Sequence, residues 1–566
     1  MIGLPRAGRS LSFGYPQLRV MMSQRHKRFF SCVILCALSG LIAPLTAMTA
    51  CPAAAQESNA TGSSSNTTSE TPQWRPALHF SPRAHWMNDP NGPFWLDGTW
   101  HLFYQYNPDG MVWGHTSWGH ATSHDLLHWH EEPVALAASP GRDMFSGSVV
   151  VDRDNRSGLG KNHIPPLIAL YTTVFSQDPA HPDGTQAQSL AYSLDRGATW
   201  ERHERNPILT LSPDSRQFRD PSVAWYAPGQ YWVMTTVVAD AQVVKLYRSR
   251  DLKHWDFLSD FQPNGYRKPG MLWEMPTLVA LDLDGNRKDT RWVMIVSVNP
   301  WSIAGGSGVE YFTGRFDGTK FTADPLPPEG ADPSTYHWLD HGADNYAAIR
   351  IANTPDLSPR LISWMSNWDY ADKLPTAPWR GQMTLPVALL LRTLRGKPHL
   401  YQVPTPEYDA LTARSPSRSW AGHALAASAV WPLPVQHEVE DISLTLHSDG
   451  KGQAGITVRQ SEDGQEGTRI SYDFARHLLS LDRSHSGVTN YSSKFSPIHI
   501  ASLLPHNNTI TLHVVVDRSS VEIFANDGEL RMTDLIFPHE GSTHISLFTQ
   551  DAPALFKTLH VTGLDH

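Results

Sequence analysis

Three acidic side chains stand just ahead of prolines: Asp89 in Asn88-Asp89-Pro90, Asp220 in Arg219-Asp220-Pro221, and Glu274 in Glu274-Met275-Pro276. Apolar or aromatic residues follow each, as Phe94-Trp95, Val223-Ala224-Trp225 and Leu278-Val279. Proline is tolerated where a strand begins, because no ladder hydrogen bond is owed there. It also pushes the residue before it into an extended conformation. If each triplet opens the innermost strand of a different sheet around one axis, the three carboxylates meet at one mouth of a central channel. Three acids at one place suit cleavage of a glycosidic bond. One attacks the sugar or activates water, one protonates the leaving oxygen, and one binds hydroxyls. Taken singly, each acid is equally an ordinary turn residue; their joint occurrence beside aromatic runs favours chemistry.

The surroundings of the first acid fit a sugar ring. His85-Trp86-Met87-Asn88-Asp89 leads to Phe103-Tyr104-Gln105-Tyr106-Asn107, and Trp113-Gly114-His115-Thr116-Ser117-Trp118 follows. Aromatic faces stack on a furanose or pyranose while amides and hydroxyls fix its orientation. The same aromatics also suit plain packing between sheets. A metal is not expected: His124 and His128 are four apart, as in a helical zinc pair, but their segment reads as strand and turn with no matching acid. No cofactor motif is present.

The elements that must hold these residues are short strands. Ser123-His124-Asp125-Leu126-Leu127-His128-Trp129 resembles Ser249-Arg250-Asp251-Leu252-Lys253-His254-Trp255. Ser193-Leu194-Asp195-Arg196-Gly197-Ala198-Thr199-Trp200 repeats the phrase with one extra residue, and residues 314–321 give a weaker copy. Each is a strand end, an Asp-led turn, and an aromatic opening the next strand. Residues 75–395 would hold about five such units, the pattern of a β-propeller. Residues 396–417, with Pro398, Pro404, Pro406 and Pro416, are expected to be a linker. From 418 to 566 the pattern becomes plain alternation, as in Ile442, Leu444 and Leu446 or Leu512, Val514 and Val516, which predicts an antiparallel β-sandwich that packs or contacts sugar and does no chemistry.

With 566 residues, 40% apolar and 18% charged, the chain is long enough for more than one domain. Its 39 Gly and 43 Pro exclude a helical bundle. Residues 1–55 carry basic but no acidic side chains, so the formal charge of -9 understates the acidity of the rest. Such a surface disfavours nucleic acid and anionic membranes and suits a neutral substrate. Residues 1–55 have the layout of a cleaved export signal: Arg25-His26-Lys27-Arg28, an apolar run broken by Gly40 and Pro44, then Ala53-Ala54-Ala55. A secreted or periplasmic protein without stable membrane insertion is expected, with residues 56–74 as a flexible leader. Cys32, Cys36 and Cys51 all precede that cut, which leaves no disulfide in the mature chain. Oligomeric state is not legible here.

Taken together the motifs resemble glycoside hydrolase family 32, the invertase, levanase and inulinase family. Trp86-Met87-Asn88-Asp89-Pro90-Asn91-Gly92 matches its hallmark. Phe145-Ser146-Gly147-Ser148, Arg219-Asp220-Pro221, Trp273-Glu274-Met275-Pro276 and Val516-Asp517-Arg518-Ser519 follow in the family's order. The resemblance covers about residues 75–560. It implies a five-bladed β-propeller followed by a β-sandwich, an all-β protein that hydrolyses terminal β-fructofuranosidic bonds of levan, inulin or sucrose with retention. It also implies that Asp89 is the nucleophile and that Glu274 protonates the leaving oxygen and later deprotonates water. Arg219 and Asp220 would hold ring hydroxyls, and Asn88, Gln105, Trp113 and Ser146 would line the fructose pocket. Met275 departs from the family's usual Cys, and Asn299-Pro300-Trp301 from a Gly-rich continuation, which reshapes the rim. A fructosyltransferase on the same scaffold, or a non-catalytic fructan-binding protein, are the alternatives.

Overall fold

Alternating and all-apolar runs of six to twelve residues, each cut off by Asp, Asn or Gly turns, form the antiparallel sheets of this protein. A computed structural model describes residues 72–564 apart from 264–267 and 329. The expected signal, residues 1–55, and most of the expected leader lie outside the described residues.

Five sheets come first. Their leading strands are His85–Leu96, Arg142–Val151, Phe218–Tyr226, Leu272–Asp282 and Tyr346–Ile351. Each strand touches the leading strands of the neighbouring sheets, and the fifth touches the first, so the five enclose an axis. This is a five-bladed propeller with the leading strands innermost. The ring is closed by chain from far away: Trp379 and Arg380 pair in parallel with His85 and Trp86 of the first blade.

The recurring sequence phrase is the turn between the third and fourth strands of a blade. Asp125 accepts from the backbone N–H groups of Leu127 and His128, and Asp251 accepts from those of Lys253 and His254. In both copies the next Trp donates its indole N–H back to the turn, Trp129 to the Leu126 carbonyl and Trp255 to the Leu252 carbonyl. Leu126, Arg196 and Leu252 all take left-handed backbone at φ 66°, 62° and 62°, a conformation the Asp-bonded turn sustains. His128 belongs to this turn and bonds Asp125.

Residues 396–417 differ from the expected linker. Lys397–Pro404 is the outermost strand of the fifth blade, and Pro406–Thr412 is a short helix. The prolines explain the misreading. Pro398 and Pro404 sit on a strand with one paired side, where a missing N–H costs little, and Pro406 opens the helix, where no N–H is needed.

Beyond the helix, two six-stranded sheets face one another. Ile442, Leu444, Leu446, Ile470, Tyr472, Phe474, Leu512, Val514, Val516, Ile545 and Leu547, the residues that alternate in the sequence, are buried in one core between them. The propeller meets this sandwich through apolar contact, Leu339, Leu385 and Leu400 packing with Val515 and Phe524, and through charge. His79, ahead of the first blade, bonds Asp517 at 2.7 Å and Glu522 at 3.1 Å, while Arg531 bonds Glu522 at 2.6 Å, all with side chains at most 1% exposed.

Candidate active site

Every leading strand carries a β-bulge near the same mouth of the channel. In the first blade Asn88 and Asp89 stand against the single residue Gln105. In the second, Phe145 and Ser146 stand against Thr172; in the third, Asp220 and Pro221 against Thr236. In the fourth, Met275 and Pro276 oppose Val296, and in the fifth Ala347 and Ala348 oppose Ser363. A bulge kinks the strand and re-aims a side chain. The local backbone is left-handed at Asp220, Met275 and Ala347, with φ of 62°, 51° and 55°. The prolines at 90, 221 and 276 therefore mark interrupted pairing within the strand, a few residues past its start.

The bulges bring five blades onto one site. Asp89 is buried, and its carboxylate receives only neutral donors: the Asn88 amide at 3.0 Å and the Ser146 hydroxyl at 2.7 Å. The Gln105 amide donates to Ser146 in turn, and the Trp86 indole fixes Asn88 at 2.8 Å. Burial, with the negative charge of Glu274 added, pushes Asp89 up to about 6 against those two donors.

Asp220 is held mostly by backbone. Its N–H donates to Thr172 Oγ1 at 2.9 Å, and its Oδ2 accepts the N–H of Met275 at 3.0 Å. Burial raises its pKa well above the carboxylate range; Arg219 opposes that rise, while Glu274 and Asp89 add to it.

Glu274 is the least enclosed of the three, its side chain 20% exposed. Arg219 donates to its Oε1 through Nε at 3.0 Å, with Nη2 at 2.9 Å, and the Tyr346 hydroxyl donates to its Oε2. Arg219 is itself oriented by Gln186 at 3.2 Å and Gln217 at 2.8 Å. Arg219 thus clasps an acid, a contact additional to the ring-hydroxyl role that the family resemblance implies for it.

Tyr346 was not foreseen. Burial and the adjacent Glu274 raise its pKa well above that of a free phenol, so it remains a donor. Its only signal in the sequence is its place at the start of the fifth leading strand, where it reads as a core aromatic.

Trp113 lies at the rim, 50% exposed, edge-on to Phe145 at 5.9 Å. Trp301 is 55% exposed in the turn after Pro300. Asn367 pins that turn through Gly305 and Ser307 and ties it to the Ala343 carbonyl ahead of the fifth leading strand. Below the acids, side chains bridge the leading strands: Ser148 bonds Pro221 and Val223 of the next blade, and Ser222 bonds Thr277. No group of His, Cys, Asp and Glu suited to a metal occurs among the described residues. The arrangement offers an anionic carboxylate without a cation of its own, a second carboxyl with two donors, and a third acid beside them. That set can attack an electrophilic carbon, move one proton and bind hydroxyls.

Comparison with known proteins follows the same division of the chain. Residues 79–404 match the family model "Glycosyl hydrolases family 32 N-terminal domain", and residues 407–563 match "Glycosyl hydrolases family 32 C terminal". The sequence is 40% identical over 498 residues to an extracellular exo-inulinase of Aspergillus niger, covering 84% of this chain and 91% of that one. It is 38% identical over 499 residues to a levanase of Bacillus subtilis, covering 87% and 70%. The fold is similar to the crystal structure of an exo-inulinase from Aspergillus awamori, with a TM-score of 0.80, 36% identity, and 87% and 98% of the two chains covered.

Proposed function

This chain belongs to glycosyl hydrolase family 32 and is a glycoside hydrolase of the fructosidase type, and from that premise we propose how its residues divide the reaction. Asp89 attacks the anomeric carbon of a terminal fructosyl unit and forms a fructosyl-enzyme. Glu274 gives its proton to the leaving oxygen, then takes one from the water that releases fructose. Asp220 accepts hydrogen bonds from ring hydroxyls as positive charge builds on the ring.

One observation carries this assignment. Asp89 accepts bonds from neutral groups alone, whereas Glu274 is bracketed by Arg219 and the Tyr346 hydroxyl. A nucleophile needs an unneutralised lone pair, and Asp89 has it. An acid–base residue needs a setting in which both protonation states are tolerated. The donors on Glu274 accept its charge after the first proton transfer.

The substrate follows from the rim and the relatives. Side chains of Ser148, Ser222 and Thr277 tie the leading strands together beside the acids, so the channel is bridged there, which supports removal of fructose one unit at a time from levan or inulin, and cleavage of sucrose. The relatives named as exo-inulinases and levanases support the same reading. Export, supported by relatives named extracellular and by the basic and apolar run of residues 25–55, completes it.

Incubation of the enzyme with levan, inulin and sucrose, sampled early, tests the proposal. Free fructose with little fall in polymer length is expected, first seen by NMR as the retained anomer. A ladder of short fructans would overturn the exo-acting reading, and growing oligosaccharides from sucrose would make the protein a transferase.

A further inference from the structure

The segment that delivers Tyr346 to Glu274 is built onto the sandwich. Residues 340–346 run along the sandwich strand Leu530–Leu535. The N–H of His341 donates to the Arg531 carbonyl at 2.9 Å, and that of Asp344 to the Thr533 carbonyl at 3.0 Å. In return Thr533 N–H donates to Asp340 at 2.9 Å, and Leu535 N–H to Asp344 at 2.8 Å. The approach is so close that a Cβ on Gly342 would lie 2.3 Å from the Thr533 carbonyl oxygen.

At the centre of this seam is a buried ion pair. Arg483, on the sandwich strand Leu478–His485, meets Asp344 at 2.7 Å, and neither side chain is exposed. Arg483 also donates to the Leu535 carbonyl at 2.8 Å and to the Tyr370 hydroxyl at 3.1 Å, while Tyr370 donates to Asp344 at 2.7 Å. Two residues on from Asp344, Tyr346 holds Glu274.

We infer that the sandwich takes part in the reaction at a distance: Arg483 and Asp344 are positioning residues that fix Tyr346 and, through its hydroxyl, the Glu274 carboxyl. This rests on Glu274 being the acid of the proposed mechanism. A buried pair of this kind contributes little net stability, because desolvation offsets the attraction. What it gives is one defined position for the chain entering the fifth blade. An acid displaced by a fraction of an ångström transfers its proton poorly, since proton transfer needs hydrogen-bond reach to the leaving oxygen.

The test compares kcat/KM on sucrose, whose leaving oxygen needs a proton, with kcat/KM on β-fructofuranosyl fluoride, whose leaving group needs little help. Glu274→Gln should lose far more on sucrose than on the fluoride; equal loss would remove the acid assignment and this inference with it. Given that discrimination, Asp344→Asn and Arg483→Lys should each lose about tenfold on sucrose, the kinetic equivalent of one charge-assisted hydrogen bond, with a much smaller loss on the fluoride. Tyr346→Phe should behave alike, and adding Asp344→Asn to it should cost little more on sucrose, because both act through one hydroxyl. Asp344→Asn preserves shape and carries the test where Arg483→Lys does not fold. Equal losses on both substrates, or additive losses in the double variant, would overturn the inference and leave the seam a structural support.

Discussion

Ser146, from the second blade, donates its hydroxyl to the carboxylate of Asp89, from the first, at 2.7 Å across the join between them. The bond favours the charged form of Asp89, whose pKa burial has pushed up to about 6. In the proposed reaction only the anion attacks, so kcat/KM should fall as pH drops through that region. Ser146→Ala removes a donor to the anion, which moves the acidic limb of the pH–rate profile upward by about one pH unit. A limb that stays in place would show that another group sets it.

Asp89→Asn should lower kcat by about four orders of magnitude or more, as loss of a covalent nucleophile does, and should also stabilise the fold at neutral pH. Asp89 binds its proton more tightly in the folded state, at about 6, than at its ordinary 3.8. Native stability therefore declines as pH rises from about 4 to 6, by about 3 kcal/mol for two units. The Asn variant escapes this decline. Thermal melts should show its advantage at pH 7 and little or none at pH 4.

Trp113 stands half-exposed at the rim, beyond hydrogen-bond contact with the acids. Trp113→Ala should remove a stacking face that serves substrate and transition state alike. The expected result is a KM raised by about fivefold, roughly 1 kcal/mol, with kcat little changed. Steady-state kinetics on sucrose and inulin decide it; a kcat loss of the same size would place Trp113 in the reaction itself.

His79 ties the start of the propeller to Asp517 and Glu522 of the sandwich. Burial works to lower its pKa, but bonding to the two carboxylates wins and raises it from 6.5 to about 9. The stability it contributes is fully present below 6.5 and is lost as pH rises through 9. His79→Gln should lower the melting temperature at pH 6, corresponding to about 3 kcal/mol, and by much less at pH 9.5. Equal effects at both values would mean that the imidazole is neutral in the fold.

The sequence displayed the acids through their prolines, because an amide without a hydrogen has few places in a sheet and each place is informative. Asp89, Asp220 and Glu274 therefore surfaced, although the local cause proved to be a bulge and not a strand start. The blades surfaced because the Asp-led turn repeats a local hydrogen-bond pattern. Tyr346, Asp344 and Arg483 did not surface. Their partners lie in other blades or in the other domain, and a tyrosine before Ala-Ala-Ile looks like core until the ring has closed. The supposed linker failed for a related reason: four prolines look the same in a loop, on an edge strand or at a helix start, and only pairing separates these.

The closure of the ring has a bearing on when the enzyme comes alive. His85 and Trp86 find their parallel partners in Trp379 and Arg380, residues synthesised only after the second, third and fourth blades and half of the fifth. A contact so distant along the chain is slow to form, because loop-closure entropy comes before its reward. A nascent chain that has made the first four blades holds Asp89, Asp220 and Glu274 in covalent sequence but lacks Tyr346 and the closing pair. The three acids therefore gain their full surroundings only once the last blade, and the sandwich strands that hold residues 340–346, have been made.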